Sequence, residues 1–391
     1  MNRLINIIQH YDWGSKTALT ELYGIENSAG QPMAELWMGA HPDASSSIIT
    51  AGRQISLADV IRDYPQQMLG AEVARRFSGL PFLFKVLCAA SPLSIQVHPH
   101  KAAAEQGFAR EQQAGIPHDS PLRNYKDPNH KPELLYALTP FRAINGFRSP
   151  RQIAGLLTPL AGMDPLIAAF VARPGTEALK ALFAGLLGMQ GQDAARAVRR
   201  LSEVSAHLPG EAWQAVRELQ QYYPQDMGLF MPLLLNVVQL QPGEAMFLYA
   251  GTPHAYLSGC GLEVMANSDN VLRAGLTHKH MDITELLANV DFTVSHPEQL
   301  RVTPVVSQDE FSFPVPVSDF SFAVHQLQAL PCALSWGGPL IVFCLQGEAL
   351  CQCAGQQLSL HAGQSAFIGA SERPLLVSGD GRLAGAYCEI Y

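Results

Sequence analysis

Two stretches of this chain repeat one another at an offset of 120 residues, and that repeat narrows the choice of fold more than any other feature. Leu240-Gln241-Pro242-Gly243-Glu244-Ala245-Met246-Phe247-Leu248 matches the pattern of Leu360-His361-Ala362-Gly363-Gln364-Ser365-Ala366-Phe367-Ile368. Each reads as a strand, a glycine turn and a second strand, the turn pattern of a jelly-roll barrel, so two barrel units are expected. The copies differ where chemistry would sit. His254 lies eleven residues past Gly243, whereas Pro374 lies eleven past Gly363. Only the first barrel is expected to have kept a ligand there.

The periodicity changes along the chain. Residues 1–100 are short apolar runs broken by turn formers, read as mostly β with a helical patch or two such as Leu57–Tyr64. At Ser149-Pro150 a helix cap is followed by proline at the first helical position. Leu179, Leu182, Phe183, Leu186 and Leu187 then follow helical spacing up to Gly188. Ala194, Val198, Leu201 and Val204 form a second stripe, and Trp213, Val216 and Leu219 a third after Pro209-Gly210. After Pro224 the pattern is β again. The expected fold class is mainly β, with two cupin-type jelly-roll barrels and an inserted α-helical domain. The expected division is a discontinuous catalytic domain of residues 1–148 plus 224–310, a helical insert of 149–223, and a C-terminal cupin-like domain of 311–391 without metal ligands.

Composition excludes several classes. A 48% hydrophobic fraction with 15% charged residues is not that of a disordered chain. No run of about 18 apolar residues lacks a charge or turn former, so no membrane span is expected. Met1-Asn2-Arg3-Leu4 meets His10 and Asp12 before any signal-peptide apolar region forms. A cytoplasmic protein is expected. The formal net charge of −8 argues against nucleic acid as a partner. It allows an anionic substrate, provided that a few local cations meet it. The seven cysteines are odd in number and scattered, and are read as reduced thiols. Gly259-x-Gly261 runs on to Val264 rather than a third glycine, and no phosphate-binding P-loop, G-x-S-x-G or H-E-x-x-H occurs.

Three segments concentrate the chemistry. In Ser94-Ile95-Gln96-Val97-His98-Pro99, a strand would bury Ile95 and Val97 on one face and aim Ser94, Gln96 and His98 at the other, with Gln96 and His98 within reach of a common ion. Tyr125-Lys126-Asp127-Pro128-Asn129-His130-Lys131-Pro132-Glu133 is an irregular charged loop that enters a strand at Glu133. The third segment runs from Thr252-Pro253-His254 through Glu263 to Lys279. Two imidazoles, one carboxylate and one amide oxygen would form a credible catalytic zinc site, whereas structural zinc draws more on thiolates. His41, His207 and His361 are read as satisfied polar residues.

These segments resemble the type I phosphomannose isomerase family. Tyr125 to Glu133 is similar to its Y-x-D-x-N-H-K-P-E motif, and His254 to Lys279 is similar to its H-A-Y-L-x-G-x-x-x-E-x-M-A-x-S-D-N-x-x-R-A-G-x-T-x-K motif. Tyr11-Asp12-Trp13-Gly14 and Ala34-Glu35-Leu36-Trp37-Met38-Gly39 also resemble N-terminal family segments. The resemblance implies a monomeric enzyme with one Zn2+ per chain. It would interconvert mannose 6-phosphate and fructose 6-phosphate. Carried over by position, the metal ligands fall on Gln96, His98, Glu133 and His254, and the active-site arginine on Arg273. Pocket-lining positions fall on Trp13, Lys85, Ser94, Lys131, Glu263, Asp269 and Lys279, and His130 is added as a substrate contact.

Within that chemistry Arg273 cannot serve as a base at neutral pH, so it is expected to hold negative charge on the enediolate or on phosphate. Lys85 and Lys279 are candidates for phosphate, with the Ser94 hydroxyl donating. Lys131 or Asp269 is expected to move the proton. The rival readings are a metal-dependent cupin oxygenase and a non-catalytic sugar-phosphate-binding protein.

Overall fold

The computed structural model describes residues 1–334 and 336–388, so the last positions of the expected C-terminal domain, 389–391, lie outside the described residues. Two large sheets dominate. An 11-stranded sheet is built from strands between Ile7–Gln9 and Arg301–Val302, and a nine-stranded sheet mainly from strands after Val305. The 120-residue repeat is reproduced in space. Strands Ala245–Leu248 and His254–Ala266 have counterparts in Ser365–Ile368 and Leu375–Tyr387. The chain begins in the second sheet, where Asn2–Arg3 pairs antiparallel with Ser365–Ile368, and only then enters the first.

Strand Phe82–Ala89 shows how the barrels are joined, because all eight of its residues are buried. Side chains alternate across a strand. Phe82, Phe84, Val86 and Cys88 pack outward into a core shared with Phe320, Phe322, Ile341 and Phe343 of the second sheet. Leu83, Lys85 and Leu87 point the other way, into the first barrel. Phe84 meets Phe322 and Phe343 with ring centroids 6.1 and 6.4 Å away. Phe84→Ala should therefore lower the unfolding free energy by about 3–5 kcal/mol through the cavity left between the barrels, as read by urea denaturation. A loss below ~1 kcal/mol would mean that the barrels are not coupled there.

The helical stripes lie where the spacing places them. Ser149 caps Pro150–Leu157 through a reciprocal box with Gln152. Leu179, Leu182, Phe183, Leu186 and Leu187 are all buried on helix Thr176–Gly188. On Gly191–Ser205, Val198 and Leu201 are buried, while Ala194 and Val204 are half-buried at the edge of the stripe. Two expectations are corrected. Residues 1–100 also contain helices Ala18–Tyr23, Pro65–Leu69 and Ala71–Phe77, each too short for a 3.6-residue period to stand out from loop. The return to β after Pro224 is delayed by the 3-10 turn Met227–Phe230 and helix Met231–Leu234, where Pro232 sits in a first turn that tolerates proline. Among the described residues no helix is long and apolar enough to cross a membrane.

Candidate functional site

Strand register assembles the site. Gln96 pairs with His254 on one side and Arg273 on the other, and His254 also pairs with Asn145. Directly opposed residues share a face, with Cβ atoms about 4.5–5.5 Å apart. Asn145, His254, Gln96 and Arg273 therefore form a row across the inner wall. A second row is Trp37, Lys85 and Glu263. Glu133 opens its strand opposite Leu248 and Met265. The expected strand over 94–98 is shorter, Gln96–Val97, but the alternation holds: Ile95 and Val97 are fully buried against the helical unit. His98 is buried and faces the site.

The donor chemistry of the two imidazoles follows from their backbone contacts. His98 Nδ1 lies 2.8 Å from the Asn270 carbonyl and His254 Nδ1 lies 2.9 Å from the Thr252 carbonyl. A carbonyl only accepts, so each Nδ1 carries the proton and each Nε2 presents a lone pair. Those lone pairs face one carboxylate: His98 Nε2 is 3.4 Å from Glu133 Oε1, and His254 Nε2 is 3.6 Å from Oε2. Burial pushes the His98 imidazole down to about 4, so it is neutral at pH 7. Burial works to raise the Glu133 carboxyl, but the neighbouring imidazoles and the Lys131 charge outweigh it and hold the group well below its usual range. His98 Nε2 is buried without a hydrogen-bond partner. Two lone pairs and a carboxylate within 4.8 Å of one another are compatible when a cation lies between them. The set of imidazole nitrogens and carboxylate oxygen, free of thiolates, fits a divalent metal with an open position.

The loops carrying these ligands are tied together by Asn270. Its Oδ1 accepts from the Lys126 and Asp127 N–H groups at 2.7 and 3.2 Å, and its Nδ2 donates to the Asp127 and Asn129 carbonyls at 2.7 and 2.8 Å. The Asp127 carboxylate accepts from Ser268 Oγ and from the Asp269 N–H. Asn270→Ala would leave four backbone groups short of a partner. A loss of about 3 kcal/mol in unfolding free energy is expected by chemical denaturation, given ~1–3 kcal/mol per buried group left unpaired.

The other expected site residues divide into three groups. Lys85 is nearly inaccessible, 5% exposed, and donates to Glu263 Oε2 at 2.8 Å with Glu35 Oε1 at 3.6 Å and the Trp37 ring beneath it. Burial works against its charge, but Glu263 and Glu35 outweigh that and raise its pKa. Lys85 and Glu263 are thus committed to one another, with the Tyr256 hydroxyl donating to Glu263 at 2.7 Å, and Lys85 does not stand free for phosphate. Arg273 and Lys279 differ: among the described residues neither has an acidic partner. Burial lowers both pKa values, and the Arg273 charge lowers Lys279 further. His130, expected as a substrate contact, has Nε2 3.0 Å from Asp319 Oδ1. Lys131 stands 3.5 Å from Glu133 Oε1. Trp13 stacks on Tyr11 at 5.7 Å, and Ser94 is half-buried. Asp269 remains 41% exposed. Burial works to raise its carboxyl, but a contact with His41 and the charges of Lys131 and Lys85 bring it below its ordinary value.

Glu35, Trp37, Tyr256 and Asn270 escaped the reading of the sequence. The signal for the first two was present: Glu35 interrupts an otherwise apolar run two residues from Trp37, so both share a strand face.

Comparison with known proteins bears on this arrangement. The model of the phosphomannose isomerase type I catalytic domain matches residues 1–150, that of its helical insertion domain residues 156–235, and that of the mannose-6-phosphate isomerase cupin domain residues 309–388. The mannose-6-phosphate isomerase of Escherichia coli K12 is 57% identical over 388 residues, 99% of each chain. That of Rattus norvegicus is 34% identical over 95% of this chain and 93% of its own. A solved variant of phosphomannose isomerase from Salmonella typhimurium superposes with a TM-score of 0.98 at 56% identity, covering both chains fully. A zinc-bound mannose 6-phosphate isomerase superposes with a TM-score of 0.97 at 57% identity over 100% of this chain and 99% of that one. The expected fold class, mainly β with a cupin domain and a helical insertion, therefore stands, and the chain belongs to the type I phosphomannose isomerase family.

Proposed function

We propose that the protein is a zinc-dependent aldose–ketose isomerase interconverting mannose 6-phosphate and fructose 6-phosphate, with one Zn2+ held by Gln96, His98, Glu133 and His254. The observation that carries this reading is the pair of buried imidazole lone pairs opposed to the Glu133 carboxylate, in a chain whose relatives bear that enzyme's name and include a zinc-bound structure. When bound, zinc supplies Lewis-acid polarisation at the O1/O2 edge of the open-chain sugar. The chain's own groups do the rest. The proton alpha to a carbonyl is weakly acidic, so the enediolate needs fixed positive charge beside it. Arg273, permanently charged and without a carboxylate partner among the described residues, supplies that charge. Lys279 meets the phosphate, with the Ser94 hydroxyl donating, and binding at this remote group orients C1 and C2. Asp269 and Lys131 exchange the proton between C2 and C1. Trp13 forms an apolar wall, and the Lys85–Glu263 pair stiffens the inner wall across its strands.

The test is a coupled assay for fructose 6-phosphate from mannose 6-phosphate, run with zinc-loaded protein, after chelation, and after zinc is restored. Formation, loss and recovery of product are expected, unchanged under anaerobic conditions. Binding without turnover would make the protein a sugar-phosphate binder, and a requirement for oxygen would make it an oxygenase. Turnover that persists with chelator present removes the metal from the mechanism.

A further inference from the structure

We propose that His41 is a positioning residue: its imidazole N–H fixes one oxygen of the Asp269 carboxylate so that the other faces the sugar. The inference rests on the function proposed above and deepens it. His41 lies just beyond strand Glu35–Met38 and is 3% exposed. Its ring is held on two sides. The Trp37 indole meets it edge-on at 4.9 Å, and Trp37 is itself anchored by donating from Nε1 to Glu35 Oε2 at 2.6 Å. His41 Nδ1 accepts the backbone N–H of Asp43 at 3.2 Å, so the ring proton is on Nε2, and Nε2 stands 3.3 Å from Asp269 Oδ2.

This is the opposite tautomer to that of His98 and His254, whose Nδ1 protons go to carbonyls and leave Nε2 as a lone pair. The difference assigns the roles. His41, Asp43 and Asp269 bring ligating atoms within 4.8 Å of one another, as the zinc candidates do, yet His41 offers a donor there rather than a lone pair. It is built to hold a carboxylate, not a metal. The Asp269 backbone is fastened by its N–H to Asp127 Oδ2 at 2.8 Å, which leaves the side-chain torsions as its remaining freedom. A carboxylate at a half-open rim samples several rotamers unless something selects one. The buried imidazole selects it, and a near-attack geometry is sensitive to displacements of that size.

The experiment compares kcat and KM for mannose 6-phosphate in the zinc-loaded wild type, His41→Ala, His41→Gln, Asp269→Asn and the His41→Ala/Asp269→Asn pair. His41→Ala is expected to lower kcat roughly 10- to 100-fold with zinc content unchanged and KM within about threefold. His41→Gln, whose amide N–H reaches in the Nε2 direction, should recover most of the loss. The double variant should be no slower than Asp269→Asn alone, because two residues that act as a unit do not lose rate additively. A His41→Ala enzyme as fast as wild type, or losses that multiply in the double variant, overturns the proposal. Nitrogen NMR of histidine-labelled wild type, assigned by comparison with His41→Gln, is the second arm. The Nε2–H form, perturbed in Asp269→Asn, is expected, and an Nδ1–H form overturns the pairing whatever the kinetics of a poorly folded variant. Wild type that makes no fructose 6-phosphate defeats the function reading and the role given to Asp269, while the tautomer result still judges the contact.

Discussion

His254→Ala is expected to yield a folded chain without stoichiometric zinc and with turnover of mannose 6-phosphate reduced on the order of 10³-fold, since Lewis-acid stabilisation of several kcal/mol is lost and each ~1.4 kcal/mol is tenfold. The reason lies in how little else could take the ligand's place. His254 opens its strand opposite Gln96 and Asn145, and its Nε2 is one of the two buried imidazole lone pairs facing Glu133. The thiols Cys88 and Cys260, the softer donors nearest in sequence register, lie on the opposite face, toward the second barrel. Alanine would leave Glu133 with His98 and Lys131 but with one fewer nitrogen donor. Elemental analysis with the coupled assay checks it. Full zinc occupancy in a folded His254→Ala protein contradicts the assignment.

Arg273→Ala should separate metal binding from chemistry. A fall in kcat of about 10²–10³-fold is expected, the range seen when a single charge-stabilising donor is removed, with zinc content unchanged. Arg273 sits beside Gln96 in register, so it lies next to the metal candidates without being needed to hold the ion. No carboxylate neutralises it among the described residues, and its near neighbour is a second cation, Lys279. Two adjacent uncompensated cations disfavour the empty pocket and favour an anionic occupant. Arg273→Lys should recover only part of the loss, since a point charge does not reproduce the planar donor fork. Equal loss of zinc and rate would instead reassign Arg273 to site structure.

Much of the architecture was legible in the order of residues, because strand and helix impose their periods locally. The 120-residue repeat foretold two copies of one strand–turn–strand unit, and Leu179 to Leu187 foretold a buried helical stripe, since spacings of 2 and 3.6 residues decide which side chains share a face. The residue types around His98, Glu133 and His254 likewise announced hard and borderline metal donors rather than a thiolate cage. Partnership was decided elsewhere. Lys85 looked like a cation awaiting phosphate until register set it opposite Glu263; His130 had no evident partner until the second barrel brought Asp319 to it; His41 looked inert until a loop 228 residues away placed Asp269 against its ring. The physical reason is that a side chain's neighbours in a sheet come from strands remote in the chain. Register, which the linear order leaves open, determines which charge is met, which nitrogen keeps its proton, and hence which groups remain free for chemistry.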